Sequence, residues 1–373
     1  MERHVKISRF PRVGSAVMVG ALALSLAACG SDPTTGGTTT ETEGGGEAIS
    51  GDFAGAGASS QESAMEAWVA GFQGANPDVT IDYDPAGSGA GRDQFLAGGV
   101  AWAGSDSAMD DEELEKSTEI CGPDGAIDLP IYVSPIAVTF NLPEIDSLNL
   151  SSEVIANIFK GEIKKWNDAA IAADNPDVEL PDLAVTPVHR LDDSGTTENF
   201  TEYLSATAAE AWTDEPDGVW PLEGGDSAEG TSGVVGVVTE TEGAVTYADA
   251  SKVGTLGTAA IKVGEEWVTH SPEGAAAVVD NSDRVEGRSE HDFAIEVDRT
   301  LTDPATYPLV LVSYAIACTN YSDEATGNFV KAFLAYQASD EGQQAAAGAA
   351  GSSPISANTA EQVAAAIDSI TVG

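Results

Sequence analysis

Four short clusters hold residue types suited to gripping an anion. The first is Gly55-Ala56-Gly57-Ala58-Ser59-Ser60, the second Gly87-Ser88-Gly89-Ala90-Gly91, and the third runs from His189 to Thr197, HRLDDSGTT. Each stands directly before a stretch that reads as a helix. The first N–H groups of a helix have no partner within it, and its N-terminal end is electrically positive. Glycine lets backbone approach a ligand closely. Three such ends can surround one tetrahedral anion, with Ser59, Ser60, Ser88, Ser194, Gly195 and Thr196 as the donors. Arg190 is the only cation inside these clusters, and Asp192 stands two residues on, placed to pair with it. The fourth cluster, Ala103-Gly104-Ser105-Asp106, ends in a carboxylate, which repels an anion unless that anion carries a proton. Phosphate near neutral pH keeps at least one O–H, and an ionised carboxylate accepts it. Sulfate has none to give, so Asp106 would reject it.

The elements that must position these clusters alternate between short apolar strands and helices, which argues an α/β fold. Met65, Trp68, Val69 and Phe72 share one face of a helix expected over 61–73. A strand is expected at 81–83 and a second helix opening at Arg92. A long β-rich run follows at 129–142, broken at Pro135. Ser151 or Ser152 caps a helix carrying Val154, Ile155, Ile158 and Phe159. Strands are expected at 185–189, 243–247 and 307–318, a helix at 198–212, and a helical, Ala-rich C-terminal part at 323–371. The runs 129–142 and 307–318 are candidates for segments crossing between two lobes.

Composition limits the partners. The chain has 373 residues and a formal net charge of −45. Past residue 29, 12 basic residues face 60 acidic ones. That balance excludes a nucleic-acid binder, which must neutralise phosphates, and it disfavours charge-driven adhesion to anionic membranes. At 42% hydrophobic the chain has enough apolar content for a core. Residues 1–29 read as an export signal: Arg3, Lys6, Arg9 and Arg12 precede an apolar stretch, 13–28, too short to span a bilayer comfortably. It ends in Leu26-Ala27-Ala28-Cys29, which resembles a bacterial lipobox with Cys29 as the lipidated residue. Residues 30–47, rich in Thr and Gly, read as a flexible tether. An exported chain with Cys121 and Cys318 remaining favours a disulfide, with two buried thiols as the alternative. His189, Asp192 and Ser194 have hydrolase residue types but are too close in sequence for separately positioned roles. His189, His270 and His291 are scattered, which argues against a metal-dependent phosphatase. No cofactor is implied.

Taken in order, GAGASS, YDPAGSGAG, VAWAGSD, LPIYVSPIAVTFNL, IFKGEIKKWND, VHRLDDSGTTENF and EGAVTYADAS resemble the substrate-binding lipoprotein of the high-affinity bacterial phosphate ABC importer. The resemblance covers most of the body. It implies a two-lobed, type II periplasmic-binding-protein fold of the Venus-flytrap kind, with two hinge crossovers. Lobe 1 would comprise 48–137 and 308–373, and lobe 2 would comprise 138–307. It further implies a monomer that is lipid-anchored on the extracytoplasmic side. This receptor would capture inorganic phosphate and deliver it to ABC permease subunits, without catalysis. By motif, Ser59 and Ser60 would contact phosphate chiefly through N–H, and Ser88 through hydroxyl and N–H. Asp106 would accept the phosphate proton and Arg190, held by Asp192, would make the charged contact. Ser194, Gly195 and Thr196 would donate from the second lobe. One departure stands out: the family often continues its first motif with Thr-Phe-Pro, where this chain reads Ser59-Ser60-Gln61. A receptor for another oxyanion such as sulfate is the nearest alternative reading.

Overall fold

The structure, a computed structural model, describes residues 49–373. The readings for the export signal, Cys29 and the tether lie outside the described residues. The strands are β1 (Gly51–Gly57), β2 (Val79–Asp84), β3 (Trp102–Ser105), β4 (Ala126–Phe140), β5 (Ser147–Leu150), β6 (Thr186–Arg190) and β7 (Asp226–Ala228). They continue with β8 (Ala244–Asp249), β9 (Gly257–Val263), β10 (Glu266–Val268), the short pair β11 (Asp283–Arg284) and β12 (Ile295–Glu296), and β13 (Val310–Cys318). The helices are α1 (Glu62–Ala75), α2 (Ser88–Leu96), α3 (Asp111–Cys121), α4 (Ser152–Phe159), α5 (Ala169–Asp174) and α6 (Gly195–Thr207). After them come α7 (Gly230–Glu240), α8 (Pro272–Asp280), α9 (Glu324–Ala338), α10 (Asp340–Ala350) and α11 (Ala357–Ser369).

The result is a two-lobed α/β fold. The main sheet runs β2-β1-β3-β13-β4-β8-β6-β7, with β9 branching from β4 and carrying β5 and β10. The β1, β2 and β3 pairings are parallel, and β13 enters antiparallel between β3 and β4. β4 and β13 are buried along their whole lengths. That is why both read as continuous apolar runs rather than alternating ones: both faces are covered.

Pro135 does not break its strand, contrary to the sequence expectation. β4 is continuous and changes neighbours there: Pro135 is paired with Val310 of β13, and Ile136 with Asp249 of β8. The missing proline N–H falls at the changeover of partners, where the ladder tolerates it. Pro130 likewise coincides with a register shift, between Ser313 and Tyr314. Two helix bounds also differ, while the C-terminal part is helical as expected. α2 opens at Ser88, so the Gly/Ser cluster forms its first turn instead of preceding it. α6 opens at Gly195 and ends at Thr207. The region 323–371 divides into three helices. Gly, Ser and Thr have low intrinsic helix propensity, and tertiary packing overrides it here.

Cys121, ending α3, is bonded to Cys318, ending β13, so the alternative of two buried thiols does not hold. Trp68, Trp102, Phe72, Phe329 and Phe333 form the core beneath the first half of the sheet. Phe159, Phe200, Trp220 and Tyr247 cluster beneath the second. Among the described residues no helix is long and apolar enough to cross a membrane.

Candidate functional site

The site forms where β1, β3 and β6 end, at the turn Ser59–Gln61 leading into α1 and at the N-termini of α2 and α6, with the start of α7 bonded to Asp192 and Ser59. Parallel strands release their chains at the C-terminal edge, so the turns after β1, β3 and β6 gather there. Asp106 follows β3 and is 3% exposed. Its Oδ1 accepts from the Ser60 hydroxyl and from the Ser313 hydroxyl, both at 2.6 Å. Its Oδ2 accepts from the Thr196 hydroxyl at 2.9 Å. Its backbone N–H donates to Ser88 Oγ at 3.0 Å. Asp106 therefore joins three other sequence-selected residues, Ser60 and Thr196 through its carboxylate and Ser88 through its N–H. Burial raises its pKa, while the donors from Ser313, Ser60 and Thr196 and the nearby Arg190 charge pull it back down, leaving it above the ordinary value.

Arg190 ends β6 and is 3% exposed. Its Nε donates to Asp192 Oδ1 at 2.8 Å and its Nη2 to Asp192 Oδ2, so the pairing expected from sequence is present, and it is bidentate. Asp192 also accepts from the Gly230 N–H at 3.1 Å. Burial raises the Asp192 pKa, but the Arg190 guanidinium outweighs it and leaves the carboxyl below its usual value. Tyr247 supports both flanks: it stacks on Phe200 of α6 with ring centroids 4.1 Å apart, and its hydroxyl pairs with Thr197 Oγ1 at 2.8 Å. The aromatic cluster thus holds the start of α6 against the end of β6.

Ser194 is the N-cap of α6, its Oγ accepting from the Thr197 N–H at 3.2 Å. That leaves its own hydroxyl hydrogen free to donate elsewhere. Gly195 has to be glycine for a steric reason. A Cβ there would lie 2.7 Å from Ser88 Oγ and 2.8 Å from Asp106 Cβ. Gly87, at φ +104°, meets a similar restriction: its Cβ would stand 2.5 Å from Asp192 Oδ2. Ser59 takes a different partner from Ser60. Its Oγ lies 3.0 Å from Thr231 Oγ1 and accepts from the Thr231 N–H at 3.0 Å.

Several residues escaped sequence reasoning. Thr231 opens α7, and its signal was present: Glu229-Gly230-Thr231 before an apolar helix repeats the pattern of the selected clusters. Ser313 is the one serine inside an otherwise apolar and aromatic strand. Gln61, the residue standing where the resembled family has proline, is fully buried and donates from Nε2 to Ser313 Oγ at 2.6 Å. It completes a relay, Gln61 to Ser313 to Asp106, that fixes the carboxylate from behind.

Asp249, fully buried at the end of β8, accepts from the Ser251 N–H at 2.9 Å and the Tyr132 hydroxyl at 3.1 Å. Burial pushes its pKa up to about 6, against 3.8 ordinarily. A raised carboxyl pKa means the fold favours the protonated form. The associated stability is full below the unfolded value and is lost as pH rises through about 6. Asp249→Asn removes that loss. The variant is expected to gain on the parent as pH rises from about 4 to about 7, by roughly 3 kcal/mol, since one unit is about 1.4 kcal/mol. Denaturant midpoints across that range measure it, and parallel curves for the two proteins would refute it.

The arrangement can bind a small oxyanion: donors from three helix starts, one buried guanidinium, and one buried carboxylate to take a ligand proton. Among the described residues no group of His, Cys, Asp and Glu is arranged to hold a metal ion.

A family model described as a PBP superfamily domain matches residues 33–341. Phosphate-binding protein PstS 2 of Mycobacterium tuberculosis (strain ATCC 25618 / H37Rv) is 32% identical, over 97% of this chain and 100% of that one. Phosphate-binding protein PstS3 of Mycobacterium bovis (strain BCG / Pasteur 1173P2) is 33% identical, over 88% and 90%. The fold resembles that of a high-affinity periplasmic phosphate-binding protein, PfluDING, solved with phosphate bound. The TM-score is 0.69 at 21% identity, covering 84% of this chain and 93% of that one.

Proposed function

The chain belongs to the PBP superfamily and to its PstS phosphate-binding proteins, and we propose from this that it captures inorganic phosphate outside the cytoplasm for an ABC permease. The observation that carries this reading is Asp106: a buried carboxylate ringed by hydroxyls, where helix starts converge beside a buried guanidinium. On binding, the Ser60 and Thr196 hydroxyls that now donate to Asp106 turn to the phosphate oxygens. Asp106 then takes the phosphate O–H in their place. Arg190, fixed by Asp192, supplies the charged contact. N–H groups at Ser59, Ser60, Ser88, Gly195 and Thr196 fill remaining acceptor directions, and Ser194, whose N–H donates to the Gly218 carbonyl at 2.9 Å, adds its free hydroxyl. The site binds and releases its ligand without changing it.

Lobe 1 comprises 48–137 and 308–373, and lobe 2 comprises 138–307. The change of partners along β4 at 135–136 and the return into β13 support this division. The sequence ending in Cys29 supports a lipid anchor following removal of an export signal, and in this reading the protein acts as a monomer held at the membrane by lipid alone. Calorimetric titration, on protein stripped of carried-over phosphate, tests the ligand. One-to-one phosphate binding without a sulfate response is expected. Equal affinity for sulfate would make the protein a general oxyanion receptor, and no response to either would end the reading.

A further inference from the structure

We propose that Asn199, oriented by Arg299, is a positioning residue that latches the two lobes together and so sets how long phosphate stays bound. The proposal rests on the phosphate reading for its ligand and on the hydrogen bonds below for its mechanism. Asn199 lies one turn into α6 and is 5% exposed. Its Nδ2 donates to the backbone carbonyl of Asp106 at 2.7 Å and to that of Gly195 at 2.8 Å. One amide group thus ties the carbonyl after β3, in lobe 1, to the first turn of α6, in lobe 2.

The amide's orientation is fixed. Its Oδ1 accepts from Arg299 Nη2, and a guanidinium only donates, so the flipped amide would set donor against donor. Arg299 is itself buried. It pairs with Glu202 of α6 at 2.9 Å and donates through Nη1 to the carbonyls of Pro308, at 3.1 Å, and Val310. Those carbonyls belong to the return crossover, where the chain leaves lobe 2 for lobe 1. A continuous run of hydrogen bonds therefore joins the crossover, through Arg299 and Asn199, to the backbone of the residue that receives the phosphate proton.

This contact differs in kind from the Thr196 contact across the cleft. The Thr196 hydroxyl on Asp106 is a group the phosphate itself must recruit. The Asn199 amide donates to a backbone carbonyl that takes no part in that exchange, so it can persist while phosphate is held. A bond that exists only when the lobes meet slows their parting and leaves their approach nearly untouched. It acts on dissociation rather than association.

Asn199→Ala removes both donors, and Asn199→Asp sets a carboxylate oxygen against two carbonyls while keeping an acceptor for Arg299. A cavity of about 540 Å³, lined in part by Asn199, Glu202 and Arg299, adjoins the latch. It gives water access to the groups left behind, so both variants are expected to fold. Phosphate should leave Asn199→Ala about 10 to 100 times faster than the parent, with association changed less than about threefold. Asn199→Asp should lose more, and Arg299→Lys less. Sulfate should stay excluded in all three, because Asp106 keeps its carboxylate. Dissociation within twofold of the parent, or a gain of sulfate binding, would overturn the latch. Amide hydrogen exchange on phosphate-stripped protein gives a readout independent of the ligand. Exchange at 104–107 and at 309–312 should quicken together in Asn199→Ala, two segments far apart in sequence. If the parent fails to bind phosphate, the functional reading falls alone. Unchanged protection at both segments overturns the latch whatever the ligand.

Discussion

Asp106→Asn is expected to weaken phosphate binding about 10- to 100-fold and to give sulfate a measurable affinity that the parent lacks. The two effects share one cause. In the parent the carboxylate has acceptors only, so a ligand must bring a proton to it. A charged hydrogen bond of this kind is worth roughly 1.5–3 kcal/mol, which sets the phosphate loss. Against sulfate the same carboxylate faces an unprotonated oxygen in a buried setting, and both charges are left unpaired. An Asn at 106 keeps one carbonyl oxygen for the Ser60 and Ser313 hydroxyls that now meet Oδ1. Its amide takes the Oδ2 side, where Thr196 can rotate its hydroxyl to accept instead of donate. The frame survives while the charge goes. Titrating parent and variant with both anions measures the effect, and continued exclusion of sulfate by the variant would defeat the acceptor argument.

The pH dependence should follow from the same group. Asp106 must be ionised to accept the ligand proton, and burial, only partly offset by its hydroxyl donors and Arg190, holds its pKa above the usual value. Phosphate affinity should therefore fall as acid protonates Asp106. Asp106→Asn should lack that component of the decline.

The donor clusters were legible because their chemistry is local. A glycine and a hydroxyl ahead of an apolar helix can be read within ten residues. The pairing of Arg190 with Asp192 spans only two positions and was read correctly. What depends on distant packing was not legible. Ser313 lies 207 positions from Asp106, in a strand whose apolar run gives no reason to single it out. Asn199 and Arg299 are 100 apart and form no motif. Their roles appear only once β4 and β13 bring the two halves of the chain together. Pro135 misled for the opposite reason: its local rule is sound, but it describes a strand with one partner along its length, and β4 has two. Thr231 is harder to single out, because Glu229-Gly230-Thr231 carries one glycine and one hydroxyl where the other clusters carry several.

Arg190→Gln is expected to cost more than any other single change, about 100- to 10,000-fold in phosphate affinity, as removing one partner of a buried charge pair typically costs 3–5 kcal/mol. Three effects converge. The ligand loses its only nearby guanidinium among the clusters that form the site. Asp192, now held below its usual pKa by Arg190, loses the partner that keeps it ionised. Asp106 loses one of the influences drawing its pKa down, so its accepting form becomes harder to populate near neutral pH. Arg190→Lys separates charge from geometry. A lysine retains the positive charge but not the planar fork that meets both Asp192 oxygens, so it should recover part of the affinity and not all of it. Adding Asp192→Asn to Arg190→Gln removes the carboxylate left without a partner. If that carboxylate is a main source of the loss, the double variant should bind phosphate more tightly than Arg190→Gln alone. If it binds no better, the loss lies in the direct contact between guanidinium and phosphate. If Arg190→Gln binds within about tenfold of the parent, Arg190 is a structural partner of Asp192 and not a ligand group.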